Sequence, residues 1–197
     1  MDVSVLSQRD WRVLLGAVTL TQEIVSFMES QPIYFVATAP LSPTGHINCS
    51  PKGGTGTFKV IDSERVAYLD YVGSGIETVA HLRENNRIVV MFASFSEKPK
   101  IVRVHGRGIV HEPHTVRYHE LLDNFKVDQF GTRTVIEVEI ERVSTSCGYG
   151  VPHMQLLAER PTMSNWLHKK GKDALASYKL KKNAQSIDGL AALTETD

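Results

Sequence analysis

The feature that most limits the possible folds of this chain is a series of short segments with β-strand composition that follow one another along the sequence. Only two helical patterns interrupt the series, and turn-forming residues separate the other segments. The regular strand–helix alternation of a parallel sheet does not occur, so the series predicts an antiparallel barrel or sandwich. Its segments are residues 33–39, 46–50, 57–61, 65–70, 87–94, 100–110 and 134–143.

The last of these segments alternates most clearly. Its apolar side chains recur at every second position and glutamates lie between them, with Val135 as the exception. This pattern predicts a strand with one buried and one solvated face. The alternating residues are Ile136, Val138 and Ile140 against Glu137, Glu139 and Glu141.

Helical patterns lie at both ends of the series and in its two insertions. They cover about residues 20–30, residues 76–84, a stretch after Pro113, and the chain past Gly150. No internal repeat and no linker rich in Pro, Gly or Ser divides the sequence. We therefore predict three parts: an N-terminal extension over 1–19, a barrel domain over 20–150, and a C-terminal helical segment over 151–197 packed on the barrel.

Charge and composition exclude several classes of protein. The 197 residues contain 22 Lys plus Arg and 22 Asp plus Glu, so the basic excess of a typical nucleic-acid-binding protein is missing. The locally basic stretch 169–182 is interpreted as a solvated helix face. Two cysteines are too few for a disulfide scaffold. No apolar run approaches the roughly 20 residues of a membrane span. We expect a cytoplasmic protein without nucleic-acid or membrane partners.

Motifs for metal binding or nucleophilic catalysis are not recognisable. Four neighbouring histidines straddle a strand, a turn and a helix, so no single face presents them together and no metal site is predicted. Neither cysteine lies in a catalytic motif, and no Gly-x-Ser-x-Gly elbow occurs. Catalytic residues therefore remain unassigned. The histidines are His105, His111, His114 and His119.

The first candidate ligand-binding segment is Ser50-Pro51-Lys52-Gly53-Gly54, at the end of a short strand. Pro51 stiffens the backbone, the paired glycines allow a ligand to approach closely, and Lys52 offers a mobile cation. The alternative is an ordinary loop with a solvated lysine.

The second candidate is the turn Gly73-Ser74-Gly75, which connects a strand to a helix. Backbone N–H groups at a helix N-terminus, with the hydroxyls of Ser74 and Thr78, are suited to holding an anion. The alternative is that Ser74 caps the helix without any ligand.

The order and spacing of these segments resemble the pyridoxamine 5′-phosphate oxidase-like family of FMN-binding split barrels. The resemblance implies a mainly β, antiparallel Greek-key split β-barrel with flanking helices, and it covers about residues 32–143. The tail motifs Ser-Cys-Gly-Tyr-Gly-Val-Pro (146–152) and Asn-Ala-Gln-Ser-Ile-Asp-Gly-Leu (183–190) are similar to a branch other than the vitamin B6 oxidases. The matching pieces are FVATAPL (35–41), GHINCSPKG (45–53), YLD (68–70), GSG (73–75), TVAHLRENNRI (78–88) and VRVHGRG (102–108).

This resemblance implies a homodimer with FMN in a cleft between the subunits and an oxidoreductase activity on a small-molecule substrate. Hydride would pass to or from the flavin N5, and Lys52 would stabilise the anionic reduced flavin at its N1–C2=O edge. The segment of Ser50, Pro51 and Lys52 corresponds to the flavin lining. The phosphate position corresponds to Gly73, Ser74, Glu77 and Thr78.

Two departures separate the chain from the vitamin B6 oxidases. Those enzymes present an Arg-Lys pair to the phosphate, whereas Glu77 and Thr78 stand at the matching positions here. Glu77 would repel a phosphate unless it turns away, caps a backbone N–H or pairs with Arg83 or Arg87. The C-terminal arginine-histidine segment also has no counterpart. The alternatives are a non-catalytic split-barrel dimer, or one that binds haem, a bilin or a deazaflavin.

Overall fold

Seven antiparallel strands form one curled sheet in the computed structural model of this chain, which describes residues 20–193. The predicted N-terminal extension, residues 1–19, lies outside the described residues. The mainly β, antiparallel architecture with flanking helices is confirmed. The strands are β1 (Ile33–Thr38), β2 (Asn48–Gly53), β3 (Phe58–Val60), β4 (Arg65–Tyr71), β5 (Arg87–Ala93), β6 (Ile101–His111) and β7 (Thr132–Ser146).

The strand order in the sheet is β2-β1-β5-β6-β7-β4-β3, so β2 and β3 are the outer strands. β2 is longer than predicted at its C-terminal end, because Pro51 and Gly53 belong to the strand instead of a loop. Proline is tolerated in an outer strand, where its missing N–H does not interrupt the ladder. Lys52 therefore projects from a strand.

Four helices pack around the sheet within the described range: α1 (Gln22–Glu29), α2 (Glu77–Asn85), α3 (Val116–Leu122) and α4 (Thr162–Lys182). None of them combines the length and apolar character needed to cross a membrane. α2 lies directly on β6, because a Cβ at Gly108 would stand 2.6 Å from a Leu82 methyl carbon. It ends at Asn86, whose left-handed backbone (φ 61°) turns the chain into β5.

Four aromatic rings form a cluster within the buried core on the inner face of the sheet. Tyr34 packs against the other three at centroid distances of 5.5–5.8 Å. Rings of this size contribute most of the apolar area of a small core. The other three rings are Phe58, Tyr68 and Phe92.

The outer face of β4 and β7 is covered by α3, which differs from the sequence prediction. A second apolar cluster lies there, formed by Ala67, Leu69, Tyr118, Leu121, Phe125 and Val135. Residues 133–138 are consequently buried on both faces, including Glu137 on the face predicted to be solvated. Val135, the exception to the alternation, packs in this cluster.

The C-terminal segment is only partly helical. Residues 152–160 are all exposed and form neither helix nor strand, so the helix predicted past Gly150 starts at Thr162 instead. Leu167 and Leu175 of α4 pack against Val72. A hairpin over 184–192 follows, and Ala192 is buried in the main core.

Candidate functional site

The two candidate segments meet at one end of the sheet. Alternate residues of a strand share a face, and Asn48, Ser50 and Lys52 lie directly opposite the inward-facing Thr38, Val36 and Tyr34 of β1. The side chains of Ser50 and Lys52 therefore project toward the interior of the sheet.

A chain of hydrogen bonds joins β2 to the first turn of α2. Ser50 Oγ donates to Asn48 Oδ1 at 2.8 Å, and Asn48 Nδ2 donates to Thr78 Oγ1 at 3.0 Å. Asn48 Nδ2 also lies 3.2 Å from Thr38 Oγ1, which contacts His81 Nδ1 at 2.9 Å. His81 is fully buried, and burial lowers the pKa of its imidazole, which is therefore neutral at neutral pH.

Lys52 forms part of a buried ionic triad. Its Nζ lies 2.8 Å from Asp70 Oδ1, and Arg133 Nε lies 2.7 Å from Asp70 Oδ2. Burial by itself raises the pKa of Asp70, but the charges of Arg133 and Lys52 hold it well below its usual range. Two cations and one anion leave the triad with a net charge of +1. The Lys52 side chain is 22% exposed, so this surplus charge reaches the surface.

Arg133 also holds the glycine turn in place. Its Nη2 donates to the Gly75 carbonyl at 2.7 Å, and its Nη1 lies 3.4 Å from the Gly73 carbonyl. The sequence interpretation did not identify Asp70 or Arg133 as site residues. A carboxylate in an otherwise apolar strand could have indicated the need for a buried cation, whereas nothing indicated Arg133 as that partner.

The Glu77 carboxylate accepts two backbone N–H groups beside the start of α2. Its Oε2 accepts the Ile76 N–H at 3.0 Å, and its Oε1 accepts the Ile187 N–H at 3.3 Å. A Cβ at Gly75 would lie 2.8 Å from Oε2, so the glycine leaves room for this conformation. Of the three ways in which Glu77 could avoid repelling an anion, the structure shows the contact with backbone N–H groups.

Two predicted residues lie apart from the others. Ser74 is exposed and does not cap α2, whose N-cap is Ile76 with no side-chain cap bond, so the capping alternative is wrong. Pro51 is exposed on the opposite face of β2 from Ser50 and Lys52. Of the other predicted residues, Thr78 belongs to the hydrogen-bond chain from β2, and Gly73 accepts from Asn183 and lies near Arg133. Glu77 bonds to Ile76 and Ile187 instead.

The C-terminal segment borders the site. Asn183, fully buried, donates from Nδ2 to the Gly73 carbonyl at 2.9 Å. Asp188 accepts the His46 backbone N–H at 2.8 Å and contacts His46 Nδ1 at 2.7 Å. On the other flank, Glu159 Oε1 accepts the Thr55 N–H at 2.9 Å.

The site fits one part of a flavin nucleotide better than the other. The net positive triad with the partly exposed Lys52 suits the edge of a flavin ring on which negative charge develops. At the start of α2, the Glu77 carboxylate places a negative charge that opposes a phosphate dianion, and it accepts the N–H of the N-cap Ile76. Arg133, the cation of the described range that contacts this turn, is buried and directs its donors to Asp70 and two carbonyls.

Other parts of the described chain offer no competing centre for metal chemistry: residues 20–193 contain no group of three His, Cys, Asp or Glu side chains able to hold a metal ion. A polar depression of about 380 Å³ lies at the β3–β4 turn, roughly 17 Å along β4 from Asp70. It is lined by Asp62, Ser63, Glu64, Arg65 and Glu139.

Comparison with known proteins identifies the family of the chain. The family model for pyridoxamine 5′-phosphate oxidase matches residues 20–147, well over half of the chain. The chain belongs to the pyridoxamine 5′-phosphate oxidase family. The pyridoxamine 5′-phosphate oxidase family protein ustO of Aspergillus flavus is 36% identical over 190 residues, which cover 89% of this chain and 76% of that protein.

A solved structure supports the fold within this family. The crystal structure of a Lactobacillus delbrueckii protein of the pyridoxamine 5′-phosphate oxidase type has a TM-score of 0.51 at 24% identity. The match covers 66% of this chain and 97% of that one. The predicted split-barrel type is therefore confirmed, while this likeness carries no information on ligand or reaction.

Proposed function

We propose that this member of the pyridoxamine 5′-phosphate oxidase family binds a flavin and acts as an oxidoreductase on a small molecule. The flavin that the family implies is FMN. The observation that carries the proposal is the triad of Lys52, Asp70 and Arg133. It leaves one uncompensated positive charge beside the hydrogen-bonded chain of Ser50 and Thr78.

Each residue of the triad has a separate role in this proposal. Lys52 would face the flavin and favour its reduced, anionic form. Asp70 fixes the position of the Lys52 ammonium, and Arg133 keeps Asp70 ionised while holding the glycine turn. A bound flavin supplies hydride chemistry at its N5, so the chain need not contribute an acid or a base.

We further propose that the working form is a homodimer with the cofactor cleft at the subunit interface. Residues 152–160 are exposed throughout, although Met154, Leu156 and Leu157 are apolar. The Met154 N–H bonds to the Phe95 carbonyl, and Glu159 bonds to Thr55, so the segment is held in place against one flank of the site. Contiguous exposed apolar side chains of this kind are typical of protein interfaces.

The flavin proposal is tested by the absorbance spectrum of the purified protein and by titration with FMN, followed by the quenching of flavin fluorescence. We expect quenching that saturates at one FMN per chain. A colourless protein that leaves flavin fluorescence unchanged would contradict the proposal.

The dimer proposal is tested with a double Leu156→Glu, Leu157→Glu variant in analytical ultracentrifugation. We expect a dimer for the natural sequence, a monomer for this variant, and weaker FMN quenching in the monomer. Leu180→Glu, at an exposed apolar residue of α4, is the matched control and should stay dimeric. A monomeric natural chain that binds FMN fully would contradict it.

A further inference from the structure

Three basic side chains share the outer face of β6 and β7, away from the inner triad. Val104 is fully buried in the core, so its neighbours Arg103 and His105 point to the outer face. The ladder places His105 directly opposite Arg142, which makes Arg103 and Arg142 diagonal neighbours. Arg103 and His105 are half-buried and Arg142 is exposed, so solvent reaches all three. We call these residues the outer basic cluster.

A β-bulge brings Arg142 into this cluster. The ladder register shifts between His105 and Gly106, and Glu141 is the extra residue of the bulge. Uninterrupted alternation would have placed Glu141 beside His105 and turned Arg142 toward the core. The bulge requires Gly106, because a Cβ there would collide with the Glu139 carbonyl oxygen. The fold thus puts a base where the regular strand would have put an acid.

The positive charge of the outer basic cluster is not neutralised by carboxylates. Within residues 20–193, neither Arg103 nor Arg142 forms an ion pair, and the Arg103 guanidinium bonds only to Ser146 Oγ, at 3.1 Å from Nη1. Arg107, on the same face, is by contrast paired with Glu141 at 2.7 Å. Like charges placed together on a sheet destabilise it, so two uncompensated arginines carry a cost that a bound anion would remove.

The two arginines also act on the imidazole of the cluster. Burial lowers the pKa of His105, and the charges of Arg142 and Arg103 lower it further, whereas Glu141 opposes them. The imidazole is therefore neutral at neutral pH and keeps one N–H donor. An anion bound between the arginines would offset their charges and raise this pKa.

We propose that the outer basic cluster is a binding site for a phosphate dianion carried by a small molecule. Two guanidinium forks and one imidazole N–H match the three terminal oxygens of a phosphate monoester better than the two oxygens of a carboxylate. The cluster lies on the opposite face of the sheet from Lys52. The inference therefore goes beyond the proposed function and does not depend on flavin binding.

The test is an NMR titration of the His105 imidazole with inorganic phosphate, at constant ionic strength so that general screening does not change. The variant His105→Asn assigns the signal. We expect a saturable change of chemical shift, and the pKa of His105 should rise when phosphate is bound. A signal that phosphate leaves unchanged would overturn the proposal.

Matched variants locate the site. Arg103→Gln and Arg142→Gln should each weaken phosphate binding by at least about tenfold, since each removes a charged fork. Arg107→Gln is the control, because this arginine already has Glu141 as its partner, and its phosphate affinity should stay within about twofold of the natural value. The thermal unfolding midpoint of each variant verifies that it is folded. An equal loss in Arg107→Gln and Arg142→Gln would show a general charge effect and contradict the assignment.

Two further ligands define the chemistry. Glycerol phosphate should bind within about threefold of inorganic phosphate, whereas acetate should bind at least about tenfold more weakly. Glycerol phosphate binding about tenfold weaker than inorganic phosphate would exclude a monoester, and acetate binding as tight as phosphate would exclude selectivity for a dianion. None of these measurements involves a flavin, so failure of this inference leaves the proposed function standing.

Discussion

Asp70 and Glu137 are both buried carboxylates, on neighbouring strands, with contrasting surroundings. Asp70 faces the interior of the sheet and is paired with Lys52 and Arg133. Glu137 faces the outer side under α3 and is paired with His111, Arg117 and Arg65. Their positions along the β4–β7 ladder differ by three residues, about 10 Å.

The difference between the two clusters lies in how the cations are compensated. Around Glu137, Arg117 also contacts Glu120 at 3.0 Å and Arg65 also contacts Asp62 at 2.6 Å, so each arginine has its own second acid. Around Asp70, neither cation has a second carboxylate among residues 20–193. The outer cluster is thus suited to holding α3 on the sheet, whereas the inner one keeps a charge available for a ligand.

The largest effect is expected from Asp70→Asn, which leaves the buried Arg133 guanidinium without its counter-charge. Removing one partner of a buried ion pair typically lowers the free energy of unfolding by about 3–5 kcal/mol. Urea denaturation at pH 7 measures this loss. If Asp70→Asn lowered the free energy of unfolding by less than Glu137→Gln does, the proposed difference between the two clusters would be wrong.

A smaller effect is expected from Glu137→Gln, because the partners of Glu137 are partly exposed. We expect the free energy of unfolding to fall by about 1–3 kcal/mol. Burial alone would raise the pKa of Glu137, but hydrogen bonds from His111 and Arg117 lower it to about 2 from 4.5. The unfolded chain then binds more protons, so this contribution is complete above about pH 4.5 and is lost as the pH falls toward 2.

The pH dependence gives the same variant a second readout. Glutamine does not titrate, so the free energy of unfolding of Glu137→Gln should fall less steeply between pH 4.5 and 2 than that of the natural sequence. Urea denaturation at several pH values in this window measures the slope. Equal slopes would show that the outer cluster does not keep Glu137 ionised.

The smallest effect on stability is expected from Lys52→Met, because Asp70 remains paired with Arg133. We expect the free energy of unfolding to fall by about 1 kcal/mol. The flavin affinity should nevertheless fall by about tenfold, because the surplus charge is lost. Lys59→Met is the matched control. Lys59 lies on β3, and its Nζ is 3.8 Å from Glu29 Oε1 of α1. Equal flavin affinity in both variants would contradict the role of the inner triad.

Much of the fold could be predicted because its signals are local. The alternating and β-branched segments placed all seven strands, and the helix after the glycine turn begins at Glu77, within one residue of its predicted start. The errors occurred where tertiary structure overrides local preference. Pro51 and Gly53 indicated a loop but lie in an outer strand, and Glu137 is buried because α3 covers it.

The site could be predicted only in part. Ser50, Lys52 and Thr78 were selected from local chemistry and the resemblance, and the structure brings them to one end of the sheet. Asp70 and Arg133 are 63 positions apart in sequence, so their contact exists only once β4 pairs with β7. The hydrogen bond from the distant C-terminal hairpin to Glu77 of α2 had no local signal in the sequence.

The proline in β2 has a consequence for how this molecule can meet another. Pro51 occupies the outermost strand and its nitrogen carries no hydrogen, so the free edge lacks a donor midway along its length. A neighbouring polypeptide could not extend the sheet continuously across that gap. A missing donor at this border therefore disfavours edge-to-edge pairing with the sheet of another molecule.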